Sequence, residues 1–347
     1  MQLQQRIDAF VQLGIRIKSI IELPLDEESG FGKIAYSAEC KNPWFPNESI
    51  KKALLGISHM LQKNDIEFWV QSYPFLHREI NPKTVAVIMA GNIPMVGFHD
   101  AMTVLLSGNK LIAKLSSKDD VLMTWLLNQL CELEPAFTNY IILEREILKH
   151  FDAVIATGSD NSARYFDFYF KKYPSIIRKN RVSVSVLTGN ETKVEIDGLS
   201  DDVFSYFGLG CRNVSKLFIP EDFDIVHFIS QIDSNNQVQY HNKFFNNYEY
   251  NKSIYLLNQD KHFDNGFFLL KEDENLFSPI AVVFYEKYKE IRNLDDWFER
   301  NKHNLQCVVS NSDQLKCNTI SYGQTQMPNI WDFADNVDTM SFLETLI

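Results

Sequence analysis

Residues 206–220 read YFGLGCRNVSKLFIP. The stretch puts one thiol, Cys211, directly after Gly-Leu-Gly and directly before the polar run Arg-Asn-Val-Ser-Lys. Two readings of it stand side by side. Cysteine is among the most buried residue types and packs as a small hydrophobe. Cys131, after WLLNQL, and Cys307, inside LQCVVS, fit that description, while Cys40 and Cys317 lie in ordinary polar surroundings. Cys211 has a different setting. Glycines permit a sharp turn and close backbone approach. Turn N–H groups, with Arg212 and Lys216 nearby, favour a thiolate and so a nucleophile.

Bulk properties narrow the class. A net charge of -11 works against nucleic acid or an anionic membrane surface as partner. Five cysteines, with no C-x-x-C pair, indicate neither a disulfide framework nor a zinc site and fit a reducing compartment. Leu3, Ile7, Phe10 and Val11 recur three or four apart, which predicts an amphipathic helix and not the continuous apolar core of a signal peptide. No run approaches the roughly 18 apolar residues of a membrane span. A cytoplasmic protein is expected. The acidic run Asp332, Asp335 and Asp338 lacks the glycine and distal glutamate of an EF-hand, so no metal is expected.

The elements that would position such a thiol follow from the apolar pattern. A length of 347 residues suggests about two domains. Residues 83–91 (KTVAVIMAG), 110–115 (KLIAKL), 151–159 (FDAVIATGS) and 181–190 (RVSVSVLTGN) read as buried strands. Helical patterns separate the first three strands and follow the third: 94–109, with Pro94 in the first turn and Gly108 at the end; 118–133, with Asp119 and Asp120 in the acid-favouring first turn; and 160–173. Strands alternating with helices predict a mostly parallel sheet, and ligands of such sheets bind beyond the carboxyl ends of the strands. The residues there are Gly91 and Asn92; Ser116, Ser117 and Lys118; Thr157, Gly158 and Ser159; and Thr188, Gly189 and Asn190. Small polar residues and glycines at four successive strand ends suit a nucleotide phosphate at a helix start. Neither G-x-G-x-x-G nor G-x-x-x-x-G-K-[ST] is present. After about residue 200 the texture changes, and a second domain carrying Cys211 is expected, with further strands in FSPIAVVFYEKY and LQCVVS.

Five segments occur in order: AGNIPMVGFHDAMTVLLSGNKLIAKLSSKD, ATGS, GLGCRNVSKLFIP, ENLFSPIAVVF and YGQTQMPNIWDFADNVDTMSFL. Together they resemble the aldehyde dehydrogenase superfamily, and within it the fatty acyl-CoA reductase branch, the LuxC-like reductase subunit of bacterial fatty acid reductase complexes. The resemblance starts near residue 80. It implies an α/β, aldehyde-dehydrogenase-like fold. A Rossmann-type NADP(H)-binding domain with its N-terminal helical segment would occupy residues 1–197. An α/β catalytic domain, with Cys211 and a returning C-terminal tail, would occupy residues 198–347.

By that resemblance, Cys211 is the nucleophile that accepts an acyl group from a thioester, and hydride from a nicotinamide releases it as an aldehyde. Asn92 matches the asparagine whose amide helps form the oxyanion hole; its alternative role is to cap the following helix. Lys114 matches a lysine that bonds the adenosine ribose. Related NAD enzymes often carry glutamate three residues later, where this chain has Ser117 followed by Lys118. A hydroxyl and an ammonium accept a 2′-phosphate that a carboxylate would repel, so NADPH is the expected cofactor. Ser116 shares that turn. Thr157, Gly158 and Ser159 match the turn along the pyrophosphate and nicotinamide. Glu274, or the adjacent Asn275, would replace the ribose-binding glutamate that relatives carry before the F-x-P segment. Hydrolytic relatives bear a glutamate on the strand before an L-G-G turn. The matching segment, SVSVLTGN, has no acid, and Glu191 beyond the turn is the nearest. The expected reaction is therefore reduction of a fatty acyl-CoA or acyl-protein thioester and not hydrolysis to a free acid. An acyltransferase or thioesterase using the same cysteine would have no need of Lys114; a non-catalytic nucleotide-binding relative is the other alternative. A homodimer or an acyl-supplying partner protein is expected by analogy.

Overall fold

The apolar runs that begin at Lys83, Lys110 and Phe151 lie side by side in one parallel sheet of the computed structural model, which describes residues 1–23 and 30–347. The chain forms two units, residues 1–180 with 327–347 and residues 181–326.

Unit one opens with helices α1 (Leu3–Ile21), α2 (Gly30–Lys41), α3 (Asn47–Met60) and α4 (Lys63–Gln71). The stripe through Ile7 and Phe10 continues at Leu13 and Ile17, all buried, as the helical period requires. Phe10 meets Phe98 and Phe137 edge-on, with ring centroids 6.4 and 5.8 Å away. There follow β1 (Thr84–Ile88), α5 (Phe98–Leu106), β2 (Lys110–Lys114), α6 (Asp120–Leu133), β3 (Ile141–Glu144), β4 (Ala153–Thr157), α7 (Asp160–Tyr169) and β5 (Ser175–Arg178). The strand order is β3-β2-β1-β4-β5, and every pairing is parallel. Val85, Ala86, Val154 and Ile155 are buried on both faces of the sheet, which is why these strands read as unbroken apolar runs. The edge strands β3 and β5 have four residues each and mixed exposure, too little period to read from sequence. From β1 the chain winds outward to β2 and β3, then returns to place β4 on the other side. That reversal opens a crevice at the carboxyl ends of β1 and β4.

One expected helix starts late. α5 begins at Phe98 and not at Pro94. Met95 has φ 56°, a left-handed conformation that a helix cannot pass through. Gly97 then packs so tightly that an added Cβ would lie 2.9 Å from the Cβ of Met89.

Unit two contains β6 (Val182–Val186), α8 (Lys193–Phe204), β7 (Val214–Pro220), α9 (Ile225–Gln231), α10 (Asn242–Asn258), β8 (Phe263–Asp264), β9 (Leu269–Glu272), β10 (Val282–Tyr288), α11 (Leu294–Asn301) and β11 (Leu305–Val309). Its sheet runs β11-β6-β7-β10-β9-β8, parallel except for the β8–β9 end. β6 corrects the expected division. Val184 and Val186 pack with Phe218, Phe298 and Val308, so residues 182–186 belong to the second sheet and the chain leaves unit one after Asn180, not at 197.

The tail also departs from the expected catalytic domain, because residues 327–347, with α12 (Thr339–Glu344), belong to unit one. Buried Arg178 anchors them: its guanidinium bonds the Asp100 carboxylate at 2.7 Å, Thr339 Oγ1 at 2.9 Å and the Ala334 carbonyl at 2.5 Å. Phe333 packs against Trp69 and His99, and Trp331 against Phe68. The acidic run is occupied by turns: Asp332 accepts the Asn329 N–H at 2.8 Å, and Asp338 caps α12 while accepting the Tyr73 hydroxyl at 3.0 Å. Among the described residues no group of three His, Cys, Asp or Glu is placed to hold a metal, and no helix is long and apolar enough to cross a membrane.

Candidate active site

Three of the four expected strand-end clusters share the carboxyl edge of the first sheet. β1 leads into Gly91 and Asn92, β2 into Ser116, Ser117 and Lys118, and β4 ends at Thr157 before Gly158 and Ser159. The first two turns are in contact: a Cβ on Gly91 would fall 2.8 Å from the Ser116 Cβ and 3.0 Å from that of Lys118. Ser116 Oγ accepts the Lys118 N–H at 3.3 Å, which leaves Ser117 and Lys118 exposed at the tip. Lys114, at the last position of β2, donates to the Arg145 carbonyl just past β3 at 2.7 Å. The Gly158 N–H donates to the Arg178 carbonyl of β5 at 3.4 Å. Ser159 is the N-cap of α7 and accepts the Ser162 N–H at 3.4 Å. Asn92 is exposed and lies six residues before α5, too far upstream to cap it. The set presents hydroxyls, one exposed ammonium and a helix N-terminus along one sheet edge, which are groups suited to a dinucleotide.

A buried carboxyl fixes the Asn92 loop. Asp119, expected as an ordinary first-turn acid, makes no cap bond to α6; its Oδ2 accepts the Met95 N–H at 2.6 Å instead. Burial pushes its carboxyl well above the usual range, against the pull of the Met95 N–H.

The fourth cluster belongs elsewhere. Thr188, Gly189 and Asn190 follow β6, so they lie at the carboxyl edge of the second sheet. Thr188, Asn190 and Pro220 line two adjoining clefts of about 460 and 550 Å³, and Gly189 lines the first. Cys211 lies at the opposite edge, just before β7, whose first residue pairs with Ser183 at the start of β6. The length of β6 separates the two levels by roughly 15 Å. Glu191 therefore does not swing back toward the thiol. Its carboxylate accepts the Thr188 N–H at 2.6 Å, the Thr188 hydroxyl at 2.8 Å, the Gly189 N–H at 3.0 Å and the Tyr322 hydroxyl at 3.4 Å. Neither β5 nor β6 contains an acid.

The thiol turn is built from strained backbone. Tyr206, Phe207 and Gly208 have φ 51°, 59° and 77°, three consecutive left-handed residues of which two have side chains. Such conformations cost on the order of 1–3 kcal/mol each and persist only where packing enforces them. Phe207 supplies that packing by lying 4.3 Å from the His241 ring. His241 itself caps α10, accepting the Phe244 N–H on Nδ1 at 3.3 Å, which gives this histidine a structural role. Buried Asn213 closes the turn. Its Oδ1 accepts the Gly210 N–H at 2.8 Å, and its Nδ2 donates to the carbonyls of Ser205 at 2.8 Å and Asp202 at 3.1 Å. Ser183 Oγ donates to the Cys211 carbonyl at 3.1 Å. Cys211 is half-buried on this turn, beside Arg212, whose guanidinium donates to the Cys307 sulfur at 3.4 Å.

The family model described as acyl-CoA reductase (LuxC) matches residues 40–232, more than half of the chain. The chain belongs to that family. It is similar to long-chain acyl-protein thioester reductase 2 of Photobacterium leiognathi, with 24% identity over 161 residues, 42% of this chain and 34% of that protein. The match thus spans about a third of the curated relative's length. Among solved structures, an NADP dependent enzyme of E. coli has a TM-score of 0.63 at 10% identity, covering 95% of this chain and 79% of that one. An oxidoreductase from Marinobacter aquaeolei has a TM-score of 0.65 at 10% identity, with 95% and 79% covered. An aldehyde dehydrogenase from Bacillus cereus, solved with NAD+, has a TM-score of 0.61 at 11% identity, with 92% and 76% covered. At these identities the likeness shows the fold, which is the expected aldehyde-dehydrogenase-like α/β architecture.

In this LuxC chain the residues singled out from sequence therefore sort by unit. Asn92, Lys114, Ser116, Ser117, Lys118, Thr157, Gly158 and Ser159 lie on unit one, and Cys211 and Glu274 on unit two. One expectation about Cys211 fails. Lys216 does not serve its thiol: the lysine is fully buried on β7, its ammonium committed to the Glu286 carboxylate and to the carbonyls of Asp273, Glu274 and Asn275. Sequence reasoning missed Asp119 and Asn213, which look like ordinary helix-start and turn residues. It had a signal for Lys216, a lone charge inside the apolar run Val-Ser-Lys-Leu-Phe-Ile, and misread its target.

Proposed function

We propose that the chain reduces a fatty acyl thioester, acyl-CoA or acyl-protein, to a fatty aldehyde through an S-acyl intermediate on Cys211, with NADPH as reductant. The observation that carries this reading is the strained, clamped turn that holds a half-buried cysteine at a strand start in a chain of the LuxC family. The Cys211 thiolate attacks the thioester carbonyl. The C–S bond to the donor breaks, and the donor thiolate leaves with the electron pair. Asn92 and the Cys211 N–H would stabilise the oxyanion of each tetrahedral stage. When bound, NADPH would supply the hydride to the acyl carbon held on Cys211, and the Cys211 sulfur would leave as thiolate, taking the electron pair of its C–S bond as the aldehyde forms. Ser117 and Lys118 would receive the 2′-phosphate, Lys114 the adenosine ribose, and Thr157, Gly158 and Ser159 the diphosphate, beside the α7 N-terminus. The residues present fit that cofactor: Gly91 lacks a side chain where the turns after β1 and β2 touch, and no acid occupies position 117. The absence of an acid from β5 and β6, with Glu191 fully engaged, favours a thioester that outlives water attack.

The test is the intact mass of the protein after incubation with acyl-CoAs of several lengths without nucleotide, for wild type and Cys211→Ser. A thiol-labile adduct confined to wild type, and discharged as aldehyde by NADPH, is expected. An adduct that persists in Cys211→Ser, or a wild type that no CoA or protein thioester acylates, would sink the reading.

A further inference from the structure

Of the two cations that the sequence places beside Cys211, Lys216 is turned away, held by Glu286 and three carbonyls. Arg212 remains. Its side chain does not trail into solvent: the residue is half-buried, and its Nη1 donates to Cys307 Sγ at 3.4 Å.

Cys307 owes its place to an irregularity in β11. Leu305 pairs with Val182 and Val308 with Val184, so Gln306 and Cys307 stand opposite the single residue Ser183. Such a bulge re-aims side chains. Leu305 and Val308, three residues apart, would point to opposite faces of a regular strand, yet both pack in the cluster of Val184 and Val186. The extra residue leaves Cys307 outside that cluster, buried and level with Ser183. Ser183 is the residue whose Oγ donates to the Cys211 carbonyl at 3.1 Å. β11 and β6 are neighbours, so the backbone that carries the Cys307 sulfur lies roughly 5 Å, one strand spacing, from the residue that anchors the nucleophile. The bulge thus fastens the Arg212 side chain beneath the Cys211 turn.

The kind of acceptor matters. A carboxylate would hold a guanidinium more strongly, but it would also cancel its charge. A thiol sulfur is a weak and neutral acceptor. It fixes the arginine and leaves the positive charge whole, and a cation near a thiol favours the thiolate.

We propose that Cys307 is a positioning residue: it holds Arg212 so that the guanidinium charge stays at the Cys211 turn and keeps the nucleophile ionised. Cys307 itself takes no acyl group. This inference rests on the proposed reductase reading, in which Cys211 is the acyl acceptor.

The experiment uses the full chain as wild type and as Arg212→Met, Cys307→Ala, Cys307→Ser and Cys307→Asp. Iodoacetamide alkylation of Cys211 is followed against pH, with peptide mass separating this cysteine from the others. The midpoint of that profile reports ionisation of the thiol. Acylation by acyl-CoA without nucleotide is read beside it. Arg212→Met should raise the midpoint and slow alkylation at neutral pH on the order of tenfold, which is one unit of thiol pKa. Cys307→Ala, which frees the arginine to move, should slow it several-fold. Cys307→Asp keeps Arg212 in place but neutralises it, and should match Arg212→Met. Cys307→Ser, a neutral acceptor of nearly the same shape, should keep the wild-type profile. A packing role alone would lower unfolding midpoints and leave the pH midpoint where it is. Should Cys307→Asp fail to fold, Cys307→Ala and Cys307→Ser decide. A raised midpoint in Arg212→Met beside an unchanged one in Cys307→Ala overturns the positioning role. Unchanged midpoints in every variant overturn the part given to Arg212 as well, and with Cys211 still acylated they leave the reductase reading intact. A wild type that no CoA or protein thioester acylates removes the reading beneath, whatever the alkylation profiles show.

Discussion

Asp119 Oδ2 accepts the main-chain N–H of Met95 at 2.6 Å, and Oδ1 of the same carboxyl is buried with no hydrogen-bond partner. A left-handed methionine and a half-satisfied acid hold the loop on which Asn92 sits. Asp119→Ala orphans the Met95 N–H and is expected to cost about 1–3 kcal/mol of stability. It should also slow acylation of Cys211 if Asn92 serves the oxyanion. Asp119→Asn keeps an acceptor for Met95 without a buried charge, so it should be the milder of the two. Burial raises this carboxyl, so its contribution to stability falls as pH rises, and the advantage of Asn over Asp should grow in the same direction. Urea unfolding of both variants at several pH values checks the order.

Asn213 is expected to tolerate no substitute. Asn213→Ala removes the acceptor of the buried Gly210 N–H, a loss of about 1–3 kcal/mol for a buried donor left unsatisfied. Asn213→Asp should be worse than Ala near neutral pH, because it keeps the acceptor for Gly210 but turns a carboxylate toward carbonyl oxygens. Rates of Cys211 acylation, read beside unfolding midpoints, separate a displaced thiol from a loosened fold.

Ser117→Glu should discriminate between the two nicotinamide dinucleotides. A carboxylate at the exposed tip after β2 repels a 2′-phosphate, and about 1.4 kcal/mol of repulsion is a tenfold loss for NADPH. NADH, with a free ribose diol, should hold its KM or improve. Equal losses for both would remove Ser117 from cofactor choice.

Asp202 makes the hold on the 322–326 segment weaken as pH rises. It accepts the Gly323 N–H at 2.7 Å and, on its other oxygen, the Thr325 N–H at 3.1 Å and hydroxyl at 2.8 Å. Burial still raises its pKa from 3.8 to about 6. With the folded value above the unfolded one, the stabilising contribution is complete below about pH 4 and is lost as pH climbs through 6. Asp202→Asn should be less stable overall, having one acceptor where two are needed, but should lack this loss between about pH 4 and 6. Unfolding midpoints across that range test it; parallel curves for the two proteins would show that another group titrates.

Much of unit one was legible because its central strands are buried on both faces and so read as continuous apolar runs. Residues 83–91, 110–115 and 151–159 each contain a strand, and the carboxyl-edge rule picked out residues that share one sheet edge. The same rule failed at residues 181–190. Alternating Val182, Val184 and Val186 mark a strand but cannot say which sheet it joins; that depends on Phe218, Phe298 and Val308, far along the chain. The turn that carries Cys211 was legible through Gly208 and Gly210. The device that shapes it was not, because left-handed Tyr206 and Phe207 are types that rarely adopt that conformation, and only the packing around His241 makes it tenable. Asp119 and Lys216 escaped for a related reason: a charged side chain read by its neighbours in sequence was claimed by a partner in space.

The return of residues 327–347 to unit one has a consequence for the order in which the protein is made. Arg178, Tyr73 and Trp69 emerge from the ribosome early, yet Ala334, Thr339, Asp338 and Phe333, their partners, are synthesised only after the whole of unit two. Unit two is one uninterrupted stretch and can close as soon as it has been translated. The nascent first unit must wait with buried Arg178 answered by Asp100 but not by Ala334 or Thr339 until those late residues arrive, so the second unit made is the first that can be finished.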